Sequence, residues 1–138
     1  MRKIDMVVVH CSATKPSQDI DSETIRQWHL ERGWSDIGYH YVIKRNGEIE
    51  EGRPINKAGA HAKGFNGPSI GICLVGGINE SGKSDANFTV EQYSALKKFL
   101  DDFSGKFPGS SLWGHRDLPG VSKDCPCFDV QSFYDSHH

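Results

Sequence analysis

The sequence predicts a layered fold of strands and helices, α/β or α+β, in one domain. Three observations predict it. Two short apolar runs rich in β-branched residues, 4–10 and 70–75, are too short for helices and read as strands. Two other segments carry apolar residues at helical spacing behind capping residues. The chain has 138 residues, 36% of them hydrophobic and 25% charged, which suits one globular core and no more. Strands interleaved with helices in so short a chain give a layered architecture.

The elements follow in order. Residues 4–10 form the first strand, and Thr14-Lys15-Pro16-Ser17 turns the chain. Asp21 or Ser22 caps a helix running to about Arg32, with Ile25, Trp28 and His29 on one face and Gly33 as its stop. Residues 39–44 and 48–51 pair as a hairpin across Asn46-Gly47. Residues 58–69 lack periodicity and read as a surface loop. Residues 70–75 are a buried strand ended by Gly76-Gly77. Thr89 to Gln92 fits a capping box, and Tyr93, Leu96, Phe99, Leu100 and Phe103 share a helical stripe. Leu112-Trp113 feeds Gly114-His115 as a short strand. Asp129 caps a last helix over 130–135. His137 and His138, native or the start of a tag, are set aside.

Composition excludes several classes. Sixteen Lys and Arg against 18 Asp and Glu give a net charge of −2, which argues against a general nucleic-acid binder. No run of about 18 apolar residues exists to insert in a membrane. The apolar run at the N-terminus, 6–9, is too short for a signal-peptide core, so synthesis in the cytoplasm is expected. Nothing signals oligomerisation, and a monomer is expected. Four Cys do not imply disulfides in a reducing compartment.

Seven His beside those four Cys is a ligand-rich inventory. His10 ends the first strand, His115 follows the Leu112-Trp113 strand, and Cys125 lies ten residues on in a Pro/Gly loop. Two imidazoles and a thiolate would give zinc three protein ligands and leave its fourth position open, as in catalytic sites. Spacing alone leaves the bland reading open: a packed strand-end histidine, a loop histidine and a buried cysteine.

Ordered motifs weigh against it. The segments VVVHCSATKPSQ, IRQWHLERGWSDIGYHYVIKRNGEIEEGR, GAHAKGFN, SIGICLVGGI, FTVEQ and GHRDLPGVSKDCP resemble those of zinc N-acetylmuramoyl-L-alanine amidases. That family includes small phage lysozymes and animal peptidoglycan recognition proteins, and the resemblance runs from Val7 to Phe128. It implies a single amidase domain over 1–138, with a central mixed β-sheet flanked by helices and a zinc site in a surface cleft. It implies His10, His115 and Cys125 as ligands of Zn2+, and Tyr39 and Lys123 as catalytic residues. It places His61 and Lys63 at the groove wall as substrate-binding residues.

The implied activity is hydrolysis of the amide between N-acetylmuramic acid and L-alanine of peptidoglycan, by a phage or prophage endolysin acting on the bacterial wall after release. Alternatives are a non-catalytic peptidoglycan-binding module and an inhibitor of a phage RNA polymerase. Among the other candidates, His40 is expected to face away from Tyr39 by strand alternation. Cys127 is expected to be a bystander beside Cys125. Cys11 and Cys73 are expected as small buried fillers, and the tryptophans as core, with Trp34 the one candidate to line the cleft.

Overall fold

The computed structural model describes residues 2–136; His137 and His138 lie outside them. Five strands form one sheet: β1 (Met6–Cys11), β2 (Tyr41–Ile43), β3 (Ile49–Glu51), β4 (Ser69–Leu74) and β5 (Ser111–Gly114). Their spatial order is β3-β2-β4-β1-β5. β1, β2, β4 and β5 run parallel, and β3 is the antiparallel edge, which makes the sheet mixed. The helices are α1 (Ser22–Glu31), α2 (Val90–Lys106) and α3 (Val130–Ser136).

Strand alternation divides the core between the two sheet faces. Val7, Val9, Cys11, Ile70, Ile72 and Leu74 pack with Leu96, Leu100 and Phe103 of α2 and Val130 of α3. On the opposite face, Val42, Cys73 and Val75 pack with Ile25 of α1 and with Ile37. Met6 and Val8 on that same face meet Ala62 and Leu118. Both faces of the parallel strands are therefore covered, which explains why β1 and β4 are buried along their whole length.

Caps and turns fix the ends of these elements. Asp21 is the α1 cap, its carboxylate accepting the Thr24 N–H at 2.9 Å. Thr89 and Gln92 form the capping box of α2. Gly47 takes φ +90° in the hairpin turn, where the Asn46 side chain accepts the Glu48 N–H.

Three expectations need correction. The regular hairpin strands are shorter than 39–44 and 48–51: single bonds from Gly52 to the His40 carbonyl and from Lys44 to the Glu48 carbonyl carry the pairing one step further at each end, and Arg53, bonded to the Tyr39 carbonyl, leaves the regular ladder. The segment 58–68 is irregular but not a surface loop throughout. Asn66 Oδ1 accepts the N–H groups of His61 and Ala62 and folds both residues into the interior. The α2 stripe buries Leu96, Leu100 and Phe103, while Tyr93 and Phe99 are only half-covered at its margins.

Candidate metal centre and its cleft

The site lies where parallel strands end. β1 pairs with β5 so that Val9 faces Gly114. His10 is the next residue of β1 and His115 the first beyond β5, and their ring centroids come within 4.5 Å. His115 opens a short 3-10 turn, His115–Asp117, tied down by the Asp117 carboxylate accepting the Gly114 N–H. The Arg116 N–H donates to the Cys125 carbonyl at 2.8 Å, drawing the loop that carries Cys125 against that turn. β5 stops opposite Val9, and the Cys11 N–H is taken by Cys125 Sγ at 3.0 Å. One ligand atom each from His10, His115 and Cys125 then lie within 4.8 Å of one another.

Both histidines are held neutral. Burial pushes His10 well below its ordinary value, with neighbouring His61 and His115 adding to the effect. Burial, then the charge of Lys123, lowers His115. The Cys11 thiol is pushed up, first by its hydrogen bond to Cys125 and then by burial, so it keeps its proton. Two neutral imidazoles and a sulfur supported by an N–H form a donor set that suits zinc. Such an ion lies about 2.0–2.3 Å from nitrogen and sulfur ligands, so donors this close can share one. Cys127 stands outside the group, its thiol donating to the Gly77 carbonyl at 3.3 Å.

The remaining candidates are distributed around this centre. The Tyr39 ring lies 5.1 Å from His10 and 5.6 Å from His29. Burial first, then the nearby Cys73, Cys125 and Cys11, raises its phenol well above the usual value. Lys123 is exposed, close enough for its charge to act on His115, and pairs with no carboxylate among the described residues. A groove of about 440 Å³ is lined by Trp34, Ala60, His61, Lys63, Asn66 and His115, among others. Trp34 does line the cleft, packed against His29 at 4.4 Å.

His40 turns away from the centre into the sheet. Its Nδ1 accepts the Gly71 N–H, and its Nε2 lies 2.8 Å from the Lys57 carbonyl. A larger groove of about 680 Å³ between α2 and α3, lined in part by Tyr93, Phe128 and Phe133, shares no residue with the site.

His61 departs from expectation. It touches the groove, but both ring nitrogens are engaged inside the protein: Nδ1 with His10 Nε2 at 2.9 Å and Nε2 with Ser69 Oγ at 3.2 Å. Burial lowers it to about 3. The ring fits because Gly71 and Gly59 lack side chains. A Cβ on Gly71 would sit 2.6 Å from its Cγ, and one on Gly59 would sit 2.8 Å from its Cδ2. Sequence reasoning missed this interior role, although Ser69 and Gly71, two small residues two apart on one strand, mark a vacancy on the face that also carries His10.

Comparison with known proteins decides the family. Residues 1–128 match the family model described as N-acetylmuramoyl-L-alanine amidase. The chain belongs to the N-acetylmuramoyl-L-alanine amidase family. The endolysins of Enterobacteria phage T3 and Escherichia phage T7 are 49% and 48% identical to it over 133 residues, 96% of this chain and 87% of each relative. Among solved structures, the N-acetylmuramoyl-L-alanine amidase LysC from Clostridium intestinale superposes with a TM-score of 0.83 at 29% identity, covering 99% of this chain and 86% of that one. This amidase is thus similar in sequence to phage endolysins and in fold to solved amidases. None of its described helices is long and apolar enough to cross a membrane.

Proposed function

We propose that this amidase is a zinc enzyme that cuts the amide between N-acetylmuramic acid and the L-alanine of the stem peptide, with the ion held by His10, His115 and Cys125. The convergence of those three donor atoms at the ends of β1 and β5 carries the reading. Zinc bound there supplies a water nucleophile at neutral pH and polarises the scissile carbonyl.

The protein's own groups supply the rest. Tyr39 keeps its phenolic proton across the neutral range, because desolvation disfavours the phenolate. It therefore serves as a hydrogen-bond donor beside His10, able to orient a reacting oxygen or pass a proton to the leaving amine. The Lys123 ammonium by His115 places positive charge where negative charge develops on the carbonyl oxygen. Trp34 and Lys63 line the groove beside His115 and supply an apolar platform and a cation for the glycan–peptide. The groove is open, as a polymeric substrate requires. The enzyme works as a monomer on the cell wall, without engaging nucleic acid.

Digestion of purified peptidoglycan tests the proposal. Zinc-loaded protein releases new L-alanine amino termini without new reducing sugar ends, and a chelator stops the reaction. A wall-binding module without catalysis would sediment with peptidoglycan and release neither.

A further inference from the structure

His61 sits under the floor of the groove, and its bonds have a single possible sense. Ser69 Oγ is 2.6 Å from the Phe65 carbonyl, which can only accept, so the Ser69 hydroxyl donates there. The Ser69 oxygen is left as the acceptor for His61 Nε2 at 3.2 Å, so that nitrogen carries the His61 proton. A neutral imidazole has one N–H. His61 Nδ1 is then a lone pair, and it accepts from His10 Nε2 at 2.9 Å. The proton of His10 is thereby fixed on Nε2, leaving Nδ1 as its one lone pair.

We infer that His61, oriented by Ser69, is a positioning residue that holds His10 in the tautomer presenting Nδ1 to the metal. The inference rests on the zinc reading above. It replaces the expected contact of His61 with substrate. The chain is buried, with His10, His61 and Ser69 all under one-tenth exposed, and neighbouring elements fix each member. The register Met6–Ser69, Val8–Gly71 and His10–Cys73 sets Ser69, Gly71 and the His10 side chain on one sheet face, so β4 supplies the end of the chain and the space for the ring beside His10. Gly71 and Gly59 leave the space that the imidazole occupies, and a Cβ on either would meet the ring. Asn66 Oδ1 holds the His61 and Ala62 N–H groups at 3.0 and 2.9 Å, fixing where the ring is launched. The His10 and His61 rings meet edge-on, at 89°, an arrangement that allows a ring-to-ring N–H to lone-pair bond. Outer partners of this kind set the tautomer and direction of a metal-bound imidazole.

Two measurements test it. In metal-free wild-type protein, nitrogen chemical shifts of the His10 ring show an unprotonated Nδ1 and a protonated Nε2; the reverse assignment overturns the inference without reference to zinc. In Ser69→Ala and His61→Phe, both nitrogens of His10 move toward the averaged values of mixed tautomers, and zinc affinity by chelator competition falls 10–100-fold for His61→Phe and less for Ser69→Ala. His61→Gln, which can still accept from His10, recovers part of that affinity. Thermal melts of the metal-free variants separate this from loss of fold. Wild-type zinc binding that both variants retain in full overturns the role of His61 alone. Absence of zinc from the wild type itself overturns the metal reading, and the inference with it.

Discussion

Cys125 and Cys127 are two residues apart, yet their sulfurs have different surroundings. Cys125 Sγ accepts the Cys11 N–H beside the two histidines, while the Cys127 thiol donates to the Gly77 carbonyl. Cys125→Ser is therefore expected to lose zinc by elemental analysis and to lose amidase activity, whereas Cys127→Ser keeps both; the opposite result would reassign the ligand. Tyr39 and Lys123 are in a different position, since neither is in the ligand group. Tyr39→Phe and Lys123→Ala should retain one zinc per chain and the wild-type melting profile while turnover falls about 100-fold or more. Unchanged turnover in either variant would remove that residue from the chemistry. At this scale the sequence pointed to residues inside recognisable segments, His10 and His115 at strand ends and Cys125 in a loop, and the fold brings those three together. It was uninformative for His61. An aperiodic loop carries no signal for ring orientation, and the vacancy over Gly71 exists only once β4 is in register beside β1.

Among the elements, the start of α2 contributes more than a helix. Gln92 is fully buried, and its amide donates to the Ile43 carbonyl at 3.1 Å and the Val75 carbonyl at 2.9 Å, while its Oε1 accepts the Thr89 N–H. One side chain thus completes the capping box and satisfies carbonyls at the ends of β2 and just beyond β4. Gln92→Leu preserves volume but leaves the Thr89 N–H without its acceptor, and leaves the Ile43 and Val75 carbonyls with only the Val75 N–H and Arg45 as donors. It should lower unfolding stability in urea by about 1–3 kcal/mol; a loss within a few tenths would mean that water reaches these groups. The capping box itself was legible as Thr89 followed three residues later by Gln92, because that signal is local. The sheet contacts of Gln92 were not, since they depend on which strands lie beneath the helix. For the same reason β1 and α2 were located closely from apolar runs and caps. The β2 and β3 limits were not, because the hairpin's pairing leaves its regular ladder where Arg53 bonds the Tyr39 carbonyl, which no local signal marks.

Over the whole molecule, the histidines make the fold sensitive to acid. His29 accepts the Gly38 N–H through Nδ1, and His40 accepts the Gly71 N–H through Nδ1, so each is bonded in its neutral form. Burial lowers both to about 4, with Arg32 and Arg53 adding for His29, and Arg2 and Arg53 for His40. In the unfolded chain each titrates near 6.5. Between about pH 6.5 and 4 the unfolded state therefore binds protons that the folded state does not, and stability rises with pH through that window. It is fully present above pH 6.5 and is lost as the pH falls toward 4. Two such groups give a slope of about 2 kcal/mol per pH unit near pH 5. In zinc-free protein His10, His61 and His115 add to it in the same direction, since each is also lowered. Asp21 and Asp36 are held below the usual carboxylate range and act only at lower pH. Urea unfolding of the metal-free amidase at pH 7.5, 6 and 5 should thus show a falling midpoint with an unchanged m-value. His40→Gln should start less stable but lose less on acidification, because one titrating group is gone. A midpoint independent of pH over this range would mean that the imidazoles take up protons in the folded protein as they do in the unfolded chain, against the donors that face them.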